Sequence, residues 1–489
     1  MRIAITVAAP GHSSGILEKV TSEQARDDGE NEVTLSRSGG VLAPNLQIGA
    51  DLTSVFPLQG NSGLSSKGMM LHGKGFIVEA SSRTKVGFAR RQHIDKFLRQ
   101  FKGAKDFVQV DQNRYALDFD GLSAEVVMRD FPEAYNWLLT KVKPERDSNR
   151  EDYRRDNWWL FGRRNTKIRE FTKDIDIYIA TPRTAKHRMF ISVNSDVICE
   201  SEVVLIGLSG YYHLGVLSSK THELWALNTC GWMGVGNDPR YNNTRCFETF
   251  PFPSLNEGEL KQRIEHLGEQ LDGHRKSQQE LYPDLTLTGI YNALEKLRSG
   301  VSLDAKDKAV HDKGLVSVLK QIHDDLDAAV LESYGWADLA SAIPIADILV
   351  RGGPDAEALE QQLLGRLVAL NHERAAEEKR GLIRWLRPDY QNSVGRGGLA
   401  APTFSVTEQL GLTDDDSTPD TGHHGGSGRP TLPDWPAELP AQVAAIRKLL
   451  PTVGQDPDTL AACFGRKSQK RTTQISAILD TLKALGHID

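Results

Sequence analysis

Apolar and polar positions change their period once along this chain, near residue 254. Before that point the apolar runs are short and several alternate, which predicts strands; after it they recur every three to four residues, which predicts helices. Residues 2–8 (RIAITVA) alternate and carry β-branched side chains, the mark of a strand. A second extended run, 32–35, is followed by Gly39 and Gly40, which are expected to turn it back as a hairpin on a sheet edge. Residues 48–78 are Gly- and Ser-rich with short apolar runs, so loops and one strand are expected there. His72-Gly73-Lys74-Gly75 faintly resembles a phosphate loop, but no helix start follows and it reads as a plain turn.

Residues 88–210 mix short strands and helices. Ser123 is placed to cap a helix carrying Val126, Val127 and Phe131, and Pro132 to open the next, which carries Tyr135, Trp137, Leu138 and Leu139. Segments 175–181, 189–193 and 203–208 read as strands. Leu214, Leu217, Leu224 and Leu227 predict one helix with His222 and Trp225 among its apolar side chains. The run Gly231 to Gly236 breaks it, and Phe247, Phe250 and Phe252 then form an extended aromatic ribbon. Beyond residue 254, three helical stripes follow: Leu260, Ile264, Leu267 and Leu271; Leu315, Leu319, Ile322 and Leu326; Leu359, Leu363, Leu367 and Leu370. Asp324, Asp325 and Asp327 beside His323, and Glu377 and Glu378 before Lys379 and Arg380, read as solvated helix faces. Residues 411–434 have the composition of a flexible linker. The tail regains periodicity at Val443, Ile446, Leu449 and Leu450, at 460–464, and at Ile475, Ile478, Leu479, Leu482 and Leu485, as three short helices of a small winged-helix-like module.

A length of 489 residues allows two to four domains. The formal charge of −6 excludes a globally basic nucleic-acid binder. Charge is uneven, however. Residues 141–190 hold 14 Lys or Arg against 8 Asp or Glu, a local +6 that leaves −12 for the remainder. Tyr153, Trp158, Trp159 and Phe161 lie among these cations. Cations neutralise phosphates while Arg forks read base edges, so the segment has the make-up of a nucleic-acid surface; a solvated charged face with tryptophans in the core is the alternative. The four cysteines, Cys199, Cys230, Cys246 and Cys463, stand far apart with no metal-ligand spacing. Together with the lack of a secretory start or an apolar run long enough to span a bilayer, this points to a reducing cytoplasm and no membrane.

Five segments, VKPERD (142–147), YRRDNWWLFGRR (153–164), YIATPRTAKHRMF (178–190), HLGVLSSKTHELWAL (213–227) and RYNNTRCFETFPFP (240–253), resemble the target-recognition domain of large adenine-N6 DNA methyltransferases. These are the enzymes of type IIL restriction-modification and of related phage-defence systems such as the DISARM type. Residues 285–300, 323–336 and 370–391 are similar to the C-terminal region of the same enzymes, so the resemblance covers roughly 1–395. It implies residual strands of a methyltransferase catalytic sheet (1–80), a mixed α/β target-recognition domain (81–253) and a helical C-terminal domain (254–400), to which composition and periodicity add a linker (401–434) and the winged-helix-like module (435–489), an α+β fold in five parts.

The sequence also departs from that family. Its enzymes carry a Gly-rich S-adenosylmethionine loop and a catalytic tetrapeptide built on Pro-Pro, and this chain has no Pro-Pro dipeptide. The expectation is a DNA-recognition part that binds no cofactor itself and catalyses nothing alone. A separate methyltransferase catalytic chain with S-adenosylmethionine, or subunits of a defence complex, would complete it; a non-catalytic remnant acting as a DNA-binding or interaction module is the alternative. Double-stranded DNA is the expected partner. By residue type, Arg146, Arg150, Arg154 and Arg155 are candidates for phosphate positioning. Arg163, Arg164, Arg183, Lys186 and His187 are candidates for groove contact, and Arg240, Tyr241 and Arg245 for approach to DNA.

Overall fold

The computed structural model describes residues 15–25, 31–40, 49–232, 238–254, 258–340 and 343–395, with scattered residues between 442 and 479. The chain divides into two units, Met1–Phe404 and Ser405–Asp489. In the first, β1 (Gly15–Ala25) and β2 (Asn31–Gly40) form an antiparallel hairpin. Gly39 and Gly40 pair with Ile16 and Gly15 at its open end, so they close the ladder rather than turn the chain. No other described strand joins this hairpin. The strand expected at residues 2–8 lies outside the described residues.

The next eight strands build two four-stranded sheets. They are β3 (Ser65–Lys67), β4 (Ile77–Glu79), β5 (Leu98–Lys102), β6 (Arg114–Leu117), β7 (Ile177–Pro182), β8 (Ile191–Asn194), β9 (Ile198–Cys199) and β10 (Val203–Ile206). One sheet runs β3-β10-β7-β8 and the other β4-β6-β5-β9. Every pair in them is antiparallel except β5 with β9. All four residues of β10 are buried, which explains why it reads as an unbroken apolar run. Because β3 and β4 belong to these sheets, a domain boundary at residue 80 would divide elements that fold together. Two-residue strands β11 (Gly231–Trp232) and β12 (Pro239–Arg240) pair beside them.

Ser123 caps the helix Ala124–Asp130 and Pro132 opens Pro132–Lys141, as their residue types predict. The helix expected over 214–227 is two, Tyr211–Ser218 and Lys220–Thr229. Ser219 lies between them in an extended conformation; its hydroxyl donates to the Val216 carbonyl and accepts from His222 N–H, so it closes one helix and starts the other. Nor do the aromatics beyond form a ribbon. A wide helical turn, Asn243–Phe247, folds them inward, where Phe250 lies edge-on to His222, Trp225 and Phe252.

Helices Glu259–Leu281, Leu287–Ser299, Val316–Ser333 and Pro354–Lys379 bury the predicted stripes at Ile264, Leu267, Leu271, Leu319, Leu326, Leu363 and Leu367. Leu315 is the exception, exposed at the head of its helix. Two polar faces read as solvated are not. His323 and Asp327 are buried, and Asp324 bonds Arg298 and Lys320. Glu377 binds Arg374 and Arg384, while Glu378 accepts from the N–H groups of Gln59 and Gly60.

These contacts tie the helices to the strand-bearing part. Asn371 is fully buried; its amide accepts from Phe56 N–H and donates to the Phe56 and Thr249 carbonyls. Asp272 takes both the N–H and the hydroxyl of Ser192 in β8, and Arg275 donates to the Phe190 carbonyl. In the second unit the helix Pro457–Ala462 is described, with Ile446, Leu460, Phe464, Ile475, Ile478 and Leu479 buried. The rest of the expected winged-helix-like module and its linker lie outside the described residues.

Candidate nucleic-acid interface

The basic segment leaves the helix Pro132–Lys141 and folds as three short helices, Lys143–Asp147, Asp152–Asp156 and Thr166–Thr172. Its aromatic residues anchor it. Trp158 packs edge-on against Tyr135, Phe161 against Phe76, and the Trp159 indole donates to the Leu122 carbonyl at 2.9 Å. The tryptophans are therefore core and loop anchors.

Those arginines separate by environment. Arg146 is buried, donates to the Leu71 and Leu160 carbonyls, and lies 5.5 Å from the Phe76 ring centre. It positions protein rather than phosphate, a correction to the assignment by residue type. Burial, with Arg154 nearby, lowers its pKa. Arg155 is held by Asp152 and Asp156. Arg154 contacts Glu151 at 3.0 Å and the His72 ring at 3.3 Å. Arg150 and Arg164 are exposed and Arg163 is half-buried.

Several candidates farther along have structural work instead. Arg183 is buried and paired with Glu202 at 3.1 Å. Lys186 and His187 bond Asn292, and Lys186 also Glu295, on the helix Leu287–Ser299, so they hold the strand-bearing part to the helices instead of entering a groove. Tyr241 is buried between Phe190 and His222, which removes it from any DNA surface. Arg240 and Arg245 are half-buried. Arg188, not selected by residue type, is the buried cation here; it donates to Thr181 and to the Pro182 and Pro239 carbonyls.

The residue that pattern reading missed is His72. Arg154, Arg146 and Arg163 surround it and, after burial, lower its pKa, with Glu151 the opposing carboxylate. The sequence marks it only as part of the faint phosphate-loop resemblance at 72–75, which reads as a plain turn, because the arginines around it lie more than seventy residues away and only the fold brings them together. Nucleophilic and metal chemistry find no support among the described residues. Burial pushes the Cys199 thiol up to about 12 and Cys246 to about 11, and no group of three His, Cys, Asp or Glu is placed to hold a metal ion. No described helix is long and apolar enough to cross a membrane.

Residues 55–254 match the family model described as MmeI, target recognition domain. Among solved structures, the chain is similar in fold to the type IIL restriction-modification enzyme MmeI in complex with DNA, with a TM-score of 0.50 and 18% sequence identity. The match covers 75% of this chain and 42% of that one, so this chain spans less than half of that enzyme's length. No curated protein matches it.

Proposed function

We propose, from the premise that residues 55–254 are an MmeI-type target recognition domain, that this chain holds double-stranded DNA in register for a restriction-modification methyltransferase. A methyltransferase must extrude its target base while the duplex stays fixed, and phosphate contacts supply that register. The observation that carries the reading is the family match across the domain that bears the local cationic excess. The catalytic part of such an enzyme is expected to use S-adenosylmethionine and to methylate adenine at N6, in the cytoplasm and in the service of defence against phage. A separate catalytic chain is the expected partner.

S-adenosylmethionine does not fit the residues described. One cleft of ≈ 500 Å³ is lined by Asn61, Tyr212, His213, Phe252, Arg374, Glu377 and Trp385 among others. Two of its polar groups are committed, the Asn61 amide donating to the Phe247, Glu248 and Phe250 carbonyls and Glu377 clamped by two arginines, while the Tyr212 hydroxyl is buried without a partner. It also lacks the glycine-rich turn from strand to helix that cradles such cofactors. These features support the reading in which a separate catalytic chain carries out methyl transfer.

The purified chain is expected to bind duplex DNA with an affinity that falls steeply with salt, as counterion release requires. Salt-independent binding, or none, would sink the reading. With S-adenosylmethionine and DNA the chain alone should transfer no methyl group; turnover would refute the assignment of chemistry to another chain.

A further inference from the structure

We propose that His72, Arg154 and Arg163 form one seat for a backbone phosphodiester, with the turn 72–75 as its floor. This rests on the DNA-binding reading above and adds the place where a phosphate is gripped. His72 lies in the left-handed region at φ 48°, which a non-glycine residue holds only when its surroundings impose it. Those surroundings are visible. The Leu71 carbonyl accepts from Arg146 and from Gly162 N–H, each at 2.9 Å, and Met70 N–H donates to the Asn165 side chain. A Cβ at Gly162 would lie 2.5 Å from that of His72, so only glycine lets the two loops touch this closely.

The charge around this rigid turn is unbalanced. Arg154 presents Nη2 to the His72 ring, Arg163 and buried Arg146 add two more cations, and the carboxylates Glu151 and Glu145, both largely exposed, oppose them. Arg146 Nε and Nη1 are buried without a hydrogen-bond partner, while Arg154 Nε is ion-paired with Glu151 at 3.0 Å. Three guanidinium groups held together by packing against two exposed carboxylates leave a net positive charge that favours an external anion, and guanidinium groups match phosphate oxygens in geometry. Lys74 on the same turn, Arg164 beside Arg163, and Arg150 between the helices that carry Arg146 and Arg154 are exposed cations.

The test compares the full chain with His72→Gln, Arg163→Gln and, as a control, Arg263→Ala on the helix Glu259–Leu281, measuring affinity for a specific and an unrelated duplex across a salt series. Each of the first two should weaken both duplexes equally, and Arg163→Gln should make the salt slope shallower by about one. The control should change nothing. Wild-type binding with an unaltered slope in Arg163→Gln would overturn the seat and leave the DNA-binding reading standing; a wild-type chain that binds no duplex overturns both. Histidine NMR keeps the proposal testable if a variant fails to fold. The His72 resonances should move on adding duplex at constant ionic strength; movement with inorganic phosphate and none with duplex would refute a DNA phosphate as the occupant.

Discussion

Removing the Arg146 side chain deletes a buried guanidinium that donates to two carbonyls and covers the Phe76 ring. Arg146→Ala should therefore cost about 3 kcal/mol of stability, since charged hydrogen bonds and core packing are lost together. Arg164→Ala, at an exposed position, should leave Tm nearly unchanged. Thermal melts of both variants separate a structural from a surface arginine. His72 adds a dependence on pH. Burial and the cations Arg154, Arg146 and Arg163 depress its pKa in the free protein, outweighing Glu151. A bound phosphate raises that pKa, so the His72 contribution to DNA affinity is full below the free value, itself under 6.5, and is lost as pH rises through the bound value. DNA affinity should accordingly strengthen more in wild type than in His72→Gln as pH falls from 7.5 to 5.5.

Between elements, two buried carboxylates respond to pH in opposite directions. Asp327, on the helix Val316–Ser333, accepts from the N–H of Lys220, and burial raises its pKa to about 7 despite that hydrogen bond and the Arg298 and Lys220 charges. Its ionisation in the unfolded chain near 3.8 opposes folding increasingly up to about pH 7. Asp327→Asn keeps the acceptor and should raise Tm over wild type more at pH 8 than at pH 5. For Glu377, Arg384 and Arg374 pull the carboxyl down to about 2. That contribution is present above the unfolded value of 4.5 and fades as pH falls toward 2, so the Tm gap between wild type and Glu377→Gln should close over that window. At this scale the sequence was partly legible. Local rules placed the caps at Ser123 and Pro132 and the apolar stripes of the long helices, because those depend on residues within a few positions. They failed where a distant element decides: Ser219 divides a helix that periodicity joins, and His323 and Asp327 are buried by neighbours that no local pattern reveals. The DNA-facing candidates were legible as a basic segment, but which arginines remain free depended on contacts from loop 69–74 and the helix Leu287–Ser299.

Across the first unit, strands and helices share too many buried polar contacts to be independent. The matched segment 55–254, expressed without the helices, would leave the N–H and hydroxyl of Ser192, the Phe190 carbonyl and the Phe56 backbone without their partners Asp272, Arg275 and Asn371. It should be insoluble or poorly folded, whereas 49–395 should give one cooperative unfolding transition; two separate transitions would show the halves to be autonomous. The clasp made by Glu378 on the N–H groups of Gln59 and Gly60 carries this further. Those amides sit at the entrance to the recognition domain, in a loop-rich stretch whose hydrogens would ordinarily exchange with solvent within seconds to minutes. Bound to a helix more than three hundred residues away, they can open only when that helix lets go. Their hydrogen exchange should track the global unfolding free energy, making a short irregular segment as slow to exchange as the centre of a sheet.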